Sequence, residues 1–378
     1  MSGAAISLGC RLNFAEAQAL SAGAPDGTVI VNSCAVTNEA VRQTRQAIRR
    51  ARRDQPDARI LVTGCAVQLD PQSFAAMPEV DEIRLRDDSR LPGPAAGMLH
   101  KVKSFVAVQT GCDHRCTFCS IWQARGPSRS VPYAEVRDAV ERELARGAKE
   151  IVLTGVDITD VAGGLGRLCQ RLLVDLPSLA RLRLSSLDSV EIDGALLELI
   201  AGEKRLMPHF HLSLQAGDDL ILKRMKRRHN RAQSVATVEA IKRARPDATI
   251  GADLIAGFPT ESEQAALNTL GLLDDCDIVA AHVFPFSPRP GTPAARMPQV
   301  EREVVKARAA RLREAAANRR NAWLDSLIGT RQPFLMESDS IARSANDAPI
   351  RLADARRGEM GIALIAGRDG DQLIGIRA

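Results

Sequence analysis

Apolar and polar positions alternate in three similar blocks along the first ninety residues of the chain. Each block is a short apolar run that ends on a small or polar residue and a cysteine: AAISLGC, TVIVNSC and RILVTGC. Helix-compatible stretches follow these runs, from Asn13, Asn38 and Asp70. Such alternation is typical of a parallel sheet, in which the carboxyl ends of all strands share one edge. The pattern predicts an N-terminal α/β domain over residues 1–92 with three cysteines at one sheet edge.

The alternation resumes after residues 91–101, which are rich in proline, glycine and alanine and are predicted to form a linker. Six apolar runs then alternate with amphipathic stretches such as 133–146, where Val136, Val140 and Leu144 recur at helical spacing. We expect strands at 104–109, 149–154, 180–186, 209–215, 248–256 and 277–284. Six βα units predict a partial (β/α)6 barrel, two units short of a complete eight-fold barrel.

A long helix, from about 299 to 326, completes this central domain, for which we expect the bounds 100–328. The last fifty residues hold short strand-like runs separated by glycine and aspartate, and they predict a small C-terminal β-barrel over residues 329–378. The predicted fold class is therefore α/β, with a parallel-sheet domain, a partial barrel and an appended β domain.

Composition narrows the possible functions. The chain has 378 residues, of which 45% are hydrophobic and 26% charged, and these ordinary values exclude a disordered or fibrous protein. No apolar run reaches the roughly 18 residues that a membrane helix needs, and the N-terminus lacks the basic region of a secretion signal. We therefore expect a cytoplasmic protein with no membrane attachment.

Eight cysteines in a long cytoplasmic chain indicate metal binding or catalysis rather than disulfides. Three of them, Cys112, Cys116 and Cys119, have the spacing C-x3-C-x2-C in the segment GCDHRCTFCSIW, directly after the first predicted barrel strand. Thiolates are ligands for iron–sulfur clusters or for zinc. A closed zinc site needs four ligands, and His114 is the local candidate for the fourth.

The segment with these cysteines resembles the signature of the radical S-adenosylmethionine (SAM) enzymes. The resemblance implies a 4Fe-4S cluster on Cys112, Cys116 and Cys119, with one iron open to SAM, whose cleavage gives a 5′-deoxyadenosyl radical. It also implies that Phe118 lies near the adenine of SAM. The family's other SAM contacts match positions at strand ends here, namely Gly155, Asp157, Ser185, Ser186, Gln215 and Asp253.

Cys10, Cys34 and Cys65 in the N-terminal domain narrow the resemblance to the methylthiotransferase family, which covers nearly the whole chain. That resemblance implies a second 4Fe-4S cluster on these three cysteines for sulfur delivery, and two SAM molecules per product. It further implies an electron donor and a sulfur source. The alternative for this triplet is three buried thiols at strand ends. Cys169 and Cys276 lie in periodic or apolar runs and are predicted to be inert.

The target is indicated by longer stretches, including NSCAVTNEA, EIVLTGVDIT, LSLQAGDDLILKRMKRR and HVFPFSPRPGTPAARM. These are similar to the branch of the family that acts on N6-threonylcarbamoyladenosine (t6A), the nucleoside 3′ of the anticodon in tRNA. The implied product is its 2-methylthio derivative. SIWQARG departs from the IIPYARG that is usual in relatives, and the C-terminal domain resembles the family's small RNA-binding barrel, called TRAM.

Two alternatives stay open. The first is a methylthiotransferase with another target, either isopentenyladenosine in tRNA or a ribosomal protein. The second, more distant alternative is a non-enzymatic iron–sulfur protein that binds RNA or acts as a sensor.

Positive charge is concentrated in three segments although the net charge is only +5. Residues 39–54 hold six arginines, residues 223–231 six lysines and arginines, and residues 301–320 seven. Such clusters indicate a phosphate-binding surface, with solvated helix faces as the alternative. Aromatic residues make up only 3% of the chain, so we expect phosphate contacts and shape, rather than stacking, to hold the anticodon loop of tRNA.

Four arginines are candidate substrate contacts. Arg45 and Arg49 lie in the first basic segment, and Arg125 and Arg129 follow the C-x3-C-x2-C loop. We expect Arg125 or Arg129 to bind the threonyl carboxylate, because arginine binds carboxylates through two hydrogen bonds; a solvated or structural role is the alternative. We also expect the protein to act as a monomer.

Overall fold

The structure is a computed structural model that describes residues 4–86, 94–99, 102–353 and 355–378. Its first domain is a parallel sheet with the strand order β1-β2-β3-β4. The strands are β1 (Ala4–Ser7), β2 (Thr28–Ser33), β3 (Arg59–Gly64) and β4 (Glu82–Ile83). The helices are α1 (Arg11–Ala22), α2 (Asn38–Asp54), α3 (Cys65–Leu69) and α4 (Pro71–Ala75). Every residue of β2 is buried, as expected for an inner strand with both faces covered.

The second domain holds most of the remaining elements. Its strands are β5 (Ala96–Leu99), β6 (Lys103–Ala107), β7 (Gln109–Thr110), β8 (Arg129–Ser130), β9 (Glu150–Thr154), β10 (Arg181–Leu184), β11 (His209–Gln215), β12 (Thr249–Ala256) and β13 (Ile278–Pro285). Its helices are α5 (Ile121–Arg125), α6 (Tyr133–Ala145), α7 (Leu165–Asp175), α8 (Gly194–Gly202), α9 (Asp219–Met225), α10 (Arg231–Ala244), α11 (Glu263–Asp275) and α12 (Arg302–Ser326).

Six parallel strands of this domain form the predicted partial barrel. Strands β6, β9 and β10 are hydrogen-bonded as one group and β11, β12 and β13 as another. Isolated parallel bridges, Leu182 to Leu206 and Leu187 to Leu212, join the two groups beside β10. The six predicted strands are confirmed, with ends that differ by no more than two residues from the expected ones.

Helix α6 illustrates why the local pattern was sufficient for the helices. Pro132 immediately precedes it, and Gly147, two residues beyond its end, has a φ of +101°, a conformation that glycine adopts without strain. Val136 and Val140 are fully buried in the barrel core, and Leu144 is partly buried against it. The long predicted helix also exists, as α12, although it begins three residues later than expected.

The third domain is a closed five-stranded barrel in the order β14-β15-β16-β18-β17. Its strands are β14 (Arg331–Met336), β15 (Ile341–Ser344), β16 (Pro349–Leu352), β17 (Met360–Asp369) and β18 (Gln372–Arg377). Phe334, Met336 and Ile350 are buried at its centre, where Leu324 from α12 joins them. The predicted C-terminal β-barrel is confirmed. Among the described residues, no helix is both long and apolar enough to cross a membrane.

The prediction of a linker at residues 91–101 is wrong for Ala96–Leu99. These residues form β5, which pairs antiparallel with β6 at the edge of the barrel sheet. Helix α1 packs so closely on β5 that a Cβ at Gly97 would lie 3.0 Å from the side chain of Gln18. Proline and glycine content reports local turn preference, whereas this strand forms because it pairs with a buried neighbour. Residues 91–93, 100 and 101 lie outside the described residues.

Buried charges fix the third domain against the amino ends of the barrel strands. Glu150, at the start of β9, accepts hydrogen bonds from Arg181 (2.8 Å) and Arg183 (2.9 Å) and lies 3.2 Å from Lys103. Lys103 also pairs with Glu337 of the third domain. Burial alone would raise the pKa of Glu150, but the cations of Arg183, Lys103 and Arg181 hold it well below its usual range. The carboxylate is therefore ionised at neutral pH.

We predict that Glu150→Gln lowers the free energy of unfolding at pH 7 by about 3–5 kcal/mol, because it leaves three buried cations without their shared anion. The pKa of Glu150 is lower in the folded protein than in the unfolded chain, where it is about 4.3. The contribution of Glu150 to the free energy of unfolding is therefore complete above a pH of about 4.3 and declines as the pH falls toward the lower folded-state pKa. The difference from wild type should therefore narrow in acid. Urea denaturation at several pH values measures it.

The matched control is Glu303→Gln on α12, where the side chain is 80% exposed and pairs with Lys306. This change should alter the free energy of unfolding by less than about 0.5 kcal/mol. A loss at Glu150→Gln no larger than the loss at Glu303→Gln would contradict the proposed role of the buried ion cluster.

Candidate active site

The C-x3-C-x2-C loop lies at the carboxyl end of the barrel strands, between β7 and α5. Cys112, Cys116 and Cys119 all line a cavity of about 290 Å3. The loop closes on itself at Gly111, which has a φ of +78°; a Cβ there would lie 1.9 Å from the carbonyl oxygen of Pro127. Burial raises the pKa of Cys112 to about 12 and of Cys119 to about 11. Three soft donors that share one cavity fit an iron–sulfur cluster with an open iron.

His114 lies among carboxylates of the barrel, next to the cysteine loop. Its Nε2 lies 3.0 Å from Asp157 and its Nδ1 lies 3.5 Å from Asp188. Hydrogen bonds to Asp157 and Glu191 raise the pKa of His114 to about 10. His114 therefore anchors the loop to the barrel. One ligand atom each of Cys112, His114 and Asp157 lie within 4.8 Å of one another, so a metal site that includes this histidine stays an alternative.

Five of the seven predicted SAM contacts line the same cavity: Phe118, Asp157, Ser186, Gln215 and Asp253. The other two, Gly155 and Ser185, do not line it. Gly155 instead permits close packing, since a Cβ there would lie 2.8 Å from the carbonyl oxygen of Gln109. The backbone N–H of Ser185 donates to the carbonyl of Leu153 (3.0 Å). For Gly155 and Ser185 the structure shows these packing contacts, and their assignment as SAM contacts stays a prediction.

Asp253 supplies a fixed negative charge on this cavity wall. Its Oδ1 lies 3.0 Å from Nε2 of His211 and 3.2 Å from Nδ1 of His282. Burial alone would raise the pKa of Asp253, but the hydrogen bonds with these two histidines hold it below its usual range. Phe284 and Phe286 add apolar surface to the lining of the same cavity. The cavity therefore combines placed polar groups with an apolar surface, as binding sites for small molecules do.

Sequence reasoning missed Arg227, which lies inside this site. Its side chain is only 6% exposed and donates to Asp188 (3.0 Å) and to the backbone carbonyl of Ser213 (2.8 Å). Its Nη1 lies 3.7 Å from Sγ of Cys116. The residue belongs to the basic segment 223–231, which was expected to face RNA, and the sequence holds no signal that separates it from its neighbours.

The three N-terminal cysteines meet at the carboxyl edge of the first sheet, as predicted. Cys10 follows β1, Cys34 follows β2, and Cys65 begins α3 directly after β3. Gly9, at a φ of +101°, packs so closely on Cys34 that a Cβ there would lie 2.6 Å from its Sγ. Burial raises the pKa of Cys34 to about 11, and the nearby thiols of Cys10 and Cys65 act in the same direction. Three neighbouring thiols fit a second cluster.

Arg125 connects the two sets of cysteines. It lies in α5, six residues after Cys119, and is fully buried. Its Nε donates to Sγ of Cys65 (3.1 Å), and its Nη1 and Nη2 donate to the carboxylate of Glu16 (2.9 and 3.0 Å). Nη2 also donates to Asn13 (2.7 Å). The expectation that Arg125 binds the substrate carboxylate is wrong, because Glu16 already neutralises its charge.

The other three candidate arginines lie elsewhere. Arg45 donates to Ser73 (2.7 Å) and stacks on the ring of Phe74. Arg49 is 57% exposed on α2 and lies 3.9 Å from Glu79. Arg129 is half-buried in β8, which pairs with β7. None of the four lines the cavity that holds the cysteine loop.

Comparison with known proteins gives the family. Residues 106–273 match the radical SAM superfamily, and residues 3–84 match the uncharacterized protein family UPF0004. The chain is 41% identical to the threonylcarbamoyladenosine tRNA methylthiotransferase MtaB of Rickettsia prowazekii, over 92% of this chain and 90% of that protein. It is 34% identical to the MtaB of Aquifex aeolicus, over 79% of this chain and 81% of that protein.

Solved structures agree on the fold. The radical S-adenosylmethionine methyltransferase TsrM from Kitasatospora setae superposes with a TM-score of 0.53 at 14% identity, over 74% of this chain and 68% of that one. At this identity the likeness concerns the fold alone. Because the sequence matches extend over nearly the whole chain, we conclude that this protein belongs to the MtaB family of radical SAM methylthiotransferases.

Proposed function

We propose that this protein is a tRNA methylthiotransferase that converts t6A, 3′ of the anticodon, to its 2-methylthio derivative. The observation that carries the proposal is the approach of two cysteine triplets from different domains. Cys112, Cys116 and Cys119 line the cavity, and so do Val36 and Thr37, which follow Cys34. The relatives named MtaB support the choice of t6A over isopentenyladenosine and over a ribosomal protein.

The residues present fit both implied clusters. Cys112, Cys116 and Cys119 would hold the radical SAM cluster, and Cys10, Cys34 and Cys65 would hold the second. When bound with SAM, the first cluster supplies reductive cleavage of the sulfonium and so the radical that attacks an unreactive carbon. The protein takes its electrons and its sulfur from outside the chain.

The cavity residues position the reactants and exclude water. Asp157 and Asp253 offer carboxylates to the hydroxyl and ammonium groups of SAM, and Ser186 and Gln215 offer neutral polar contacts. The rings of Phe118, Phe284 and Phe286 cover the cavity with apolar surface. A dry and fixed geometry of this kind favours transfer between held groups over reaction with solvent.

Helix α2 is the best-supported surface for tRNA phosphates. It begins one residue after Thr37, which lines the cavity, and carries exposed arginines along its length. The side chains of Arg42, Arg50 and Arg53 are 61%, 76% and 74% exposed. Exposed cations next to a reaction cavity suit a backbone-led contact that leaves only the target base unstacked. Action on tRNA by a monomer in the cytoplasm, with the TRAM-like barrel as a further RNA contact, completes the proposal.

Iron content tests the two-cluster proposal. Anaerobically reconstituted wild type should bind about eight irons per chain, four for each cluster. Cys34→Ala should bind about four, because a cluster held by three thiolates does not survive the loss of one. Cys276→Ala is the control, since Cys276 is buried in the barrel core, and it should retain about eight. About four irons in the wild type, or about eight in Cys34→Ala, would refute the second cluster.

The nucleosides of tRNA test the substrate. A strain without this gene should lack 2-methylthio-t6A and accumulate t6A, as measured by mass spectrometry of digested tRNA. The wild-type gene should restore the product, and Cys112→Ala should not, because that change removes a radical-site thiol. Persistence of 2-methylthio-t6A together with loss of another methylthio nucleoside would overturn the assignment.

We predict that Arg125→Gln lowers bound iron from about eight to about four per chain, because the thiolate of Cys65 loses a buried charged donor. Any iron retained at the N-terminal site should show a more negative reduction potential. Arg86→Gln is the matched control: Arg86 also pairs with Glu16 (2.7 Å), and none of its hydrogen bonds reaches a sulfur. Equal iron content and equal potentials in the two variants would contradict the role of the sulfur contact.

A further inference from the structure

Arg289 is a buried cation with an unused side. It lies four residues beyond β13 and is 6% exposed. Its Nη1 donates to Oδ1 of Asn38 (2.6 Å), at the first residue of α2. Its Nε is buried and has no hydrogen-bond partner, and Nη2 donates to no residue in the described parts of the chain. The side of the guanidinium that carries Nε and Nη2 can bind a carboxylate through two parallel hydrogen bonds.

The other fully buried arginines of the described ranges all have carboxylate partners. Arg125 pairs with Glu16, and both Arg181 and Arg183 pair with Glu150. Arg289 forms no ion pair within residues 4–86, 94–99, 102–353 and 355–378. Burial of an uncompensated charge is costly unless an anion completes the site. The arrangement therefore indicates an anionic ligand.

The position of Arg289 shows where that anion lies. Asn38, which accepts a hydrogen bond from Arg289, directly follows Thr37. Ser287 lies two residues before Arg289. Both Thr37 and Ser287 line the reaction cavity. Burial lowers the pKa of Arg289, and the one group that acts in the opposite direction is the thiol of Cys34. The guanidinium is thus at the boundary between the N-terminal cysteines and the cavity, where a target base placed between the two triplets would carry its N6 substituent.

We propose that Arg289, held by Asn38, binds the carboxylate of the threonylcarbamoyl group and so selects t6A over adenosines without an anionic substituent. The inference rests on the proposed function. It assigns to Arg289 the contact with the threonyl carboxylate that the sequence analysis expected of Arg125 or Arg129. Asn38 fixes Nη1 and thereby orients the free Nε–Nη2 side. An alternative source of negative charge is the thiolate of Cys34, for which Arg289 would act only as a counter-ion.

Binding and turnover of synthetic anticodon stem-loops test the inference. One stem-loop carries t6A, and the other carries its methyl ester, which has the same size without the charge. Wild type should prefer the acid, and Arg289→Gln should lower kcat/KM and affinity for the acid by about 10- to 100-fold, the range for a charged hydrogen-bonded pair. The same change should leave both values for the ester within about two-fold. Arg289→Lys should restore part of the preference, because it restores the charge but not the paired donors.

Arg49→Gln is the control for general RNA binding. Arg49 is exposed on α2, so its loss should weaken acid and ester by the same factor. An equal effect of Arg289→Gln on acid and ester would overturn the inference. So would a loss of iron, or a changed electron paramagnetic resonance spectrum, in Arg289→Gln before RNA is added, because this result identifies a counter-ion of Cys34.

The two measurements also separate this inference from the proposed function. Affinity for the two stem-loops is measured without SAM or reductant, so it reports only whether the protein recognises the carboxylate. Formation of the 2-methylthio product reports the chemistry. If wild type binds the acid more tightly than the ester but forms no product, the proposed function is refuted and the carboxylate contact is still supported. If wild type binds both stem-loops equally, the inference is refuted.

Discussion

The buried guanidinium of Arg125 sets the relation between the two cysteine sites. It belongs to the loop of one triplet, yet its donors are used by Cys65, Asn13 and Glu16 of the other domain. Separation of the sites would break the hydrogen bonds of Arg125 to Cys65 and Asn13 and its ion pair with Glu16. The contacts of this buried side chain therefore hold the two triplets at one distance. In the proposed function, two centres on either side of one base would need such a constraint.

The same principle joins the third domain to the barrel. Glu150 at the barrel base is shared by two arginines and a lysine, and that lysine continues to Glu337 in the C-terminal barrel. The link to the third domain depends on Lys103, which pairs with Glu150 inside the barrel domain and with Glu337 across the boundary. Apolar patches would also have joined the domains, but they tolerate sliding, whereas charged hydrogen bonds specify one arrangement. The cavity itself is formed by the first two domains, from Val36 to Ser287 along the chain.

The sequence was sufficient for the architecture because the barrel strands and helices carry strong periodicity. It also placed Cys10, Cys34 and Cys65 together, since parallel strands bring residues separated by 24 and 31 positions to one edge. It was not sufficient for the arginines. Arg125 pairs with a glutamate 109 residues away, and Arg227 is buried within a run that looks solvated. Whether a cation faces water, a carboxylate or a sulfur depends on tertiary contacts that no local pattern records.

Tertiary contacts neutralise part of the positive charge in the basic segments. In the segment 301–320, Arg308 and Arg319 pair with acids of the barrel, and in 223–231 Arg227 and Arg231 do the same. Exposed cations remain in all three segments, and Arg42, Arg50 and Arg53 of α2 pair with acids of the same helix. Helix α2 differs from the other two segments in its position, because its first residue is hydrogen-bonded to the chain beside the cavity. In the proposed function, phosphates held by α2 would therefore lie at a fixed distance from the cavity mouth. Because the chain has few aromatic residues to stack on a displaced base, phosphate contacts would compensate for the energy of unstacking. The connection of α2 to the cavity would make that compensation specific to one nucleotide.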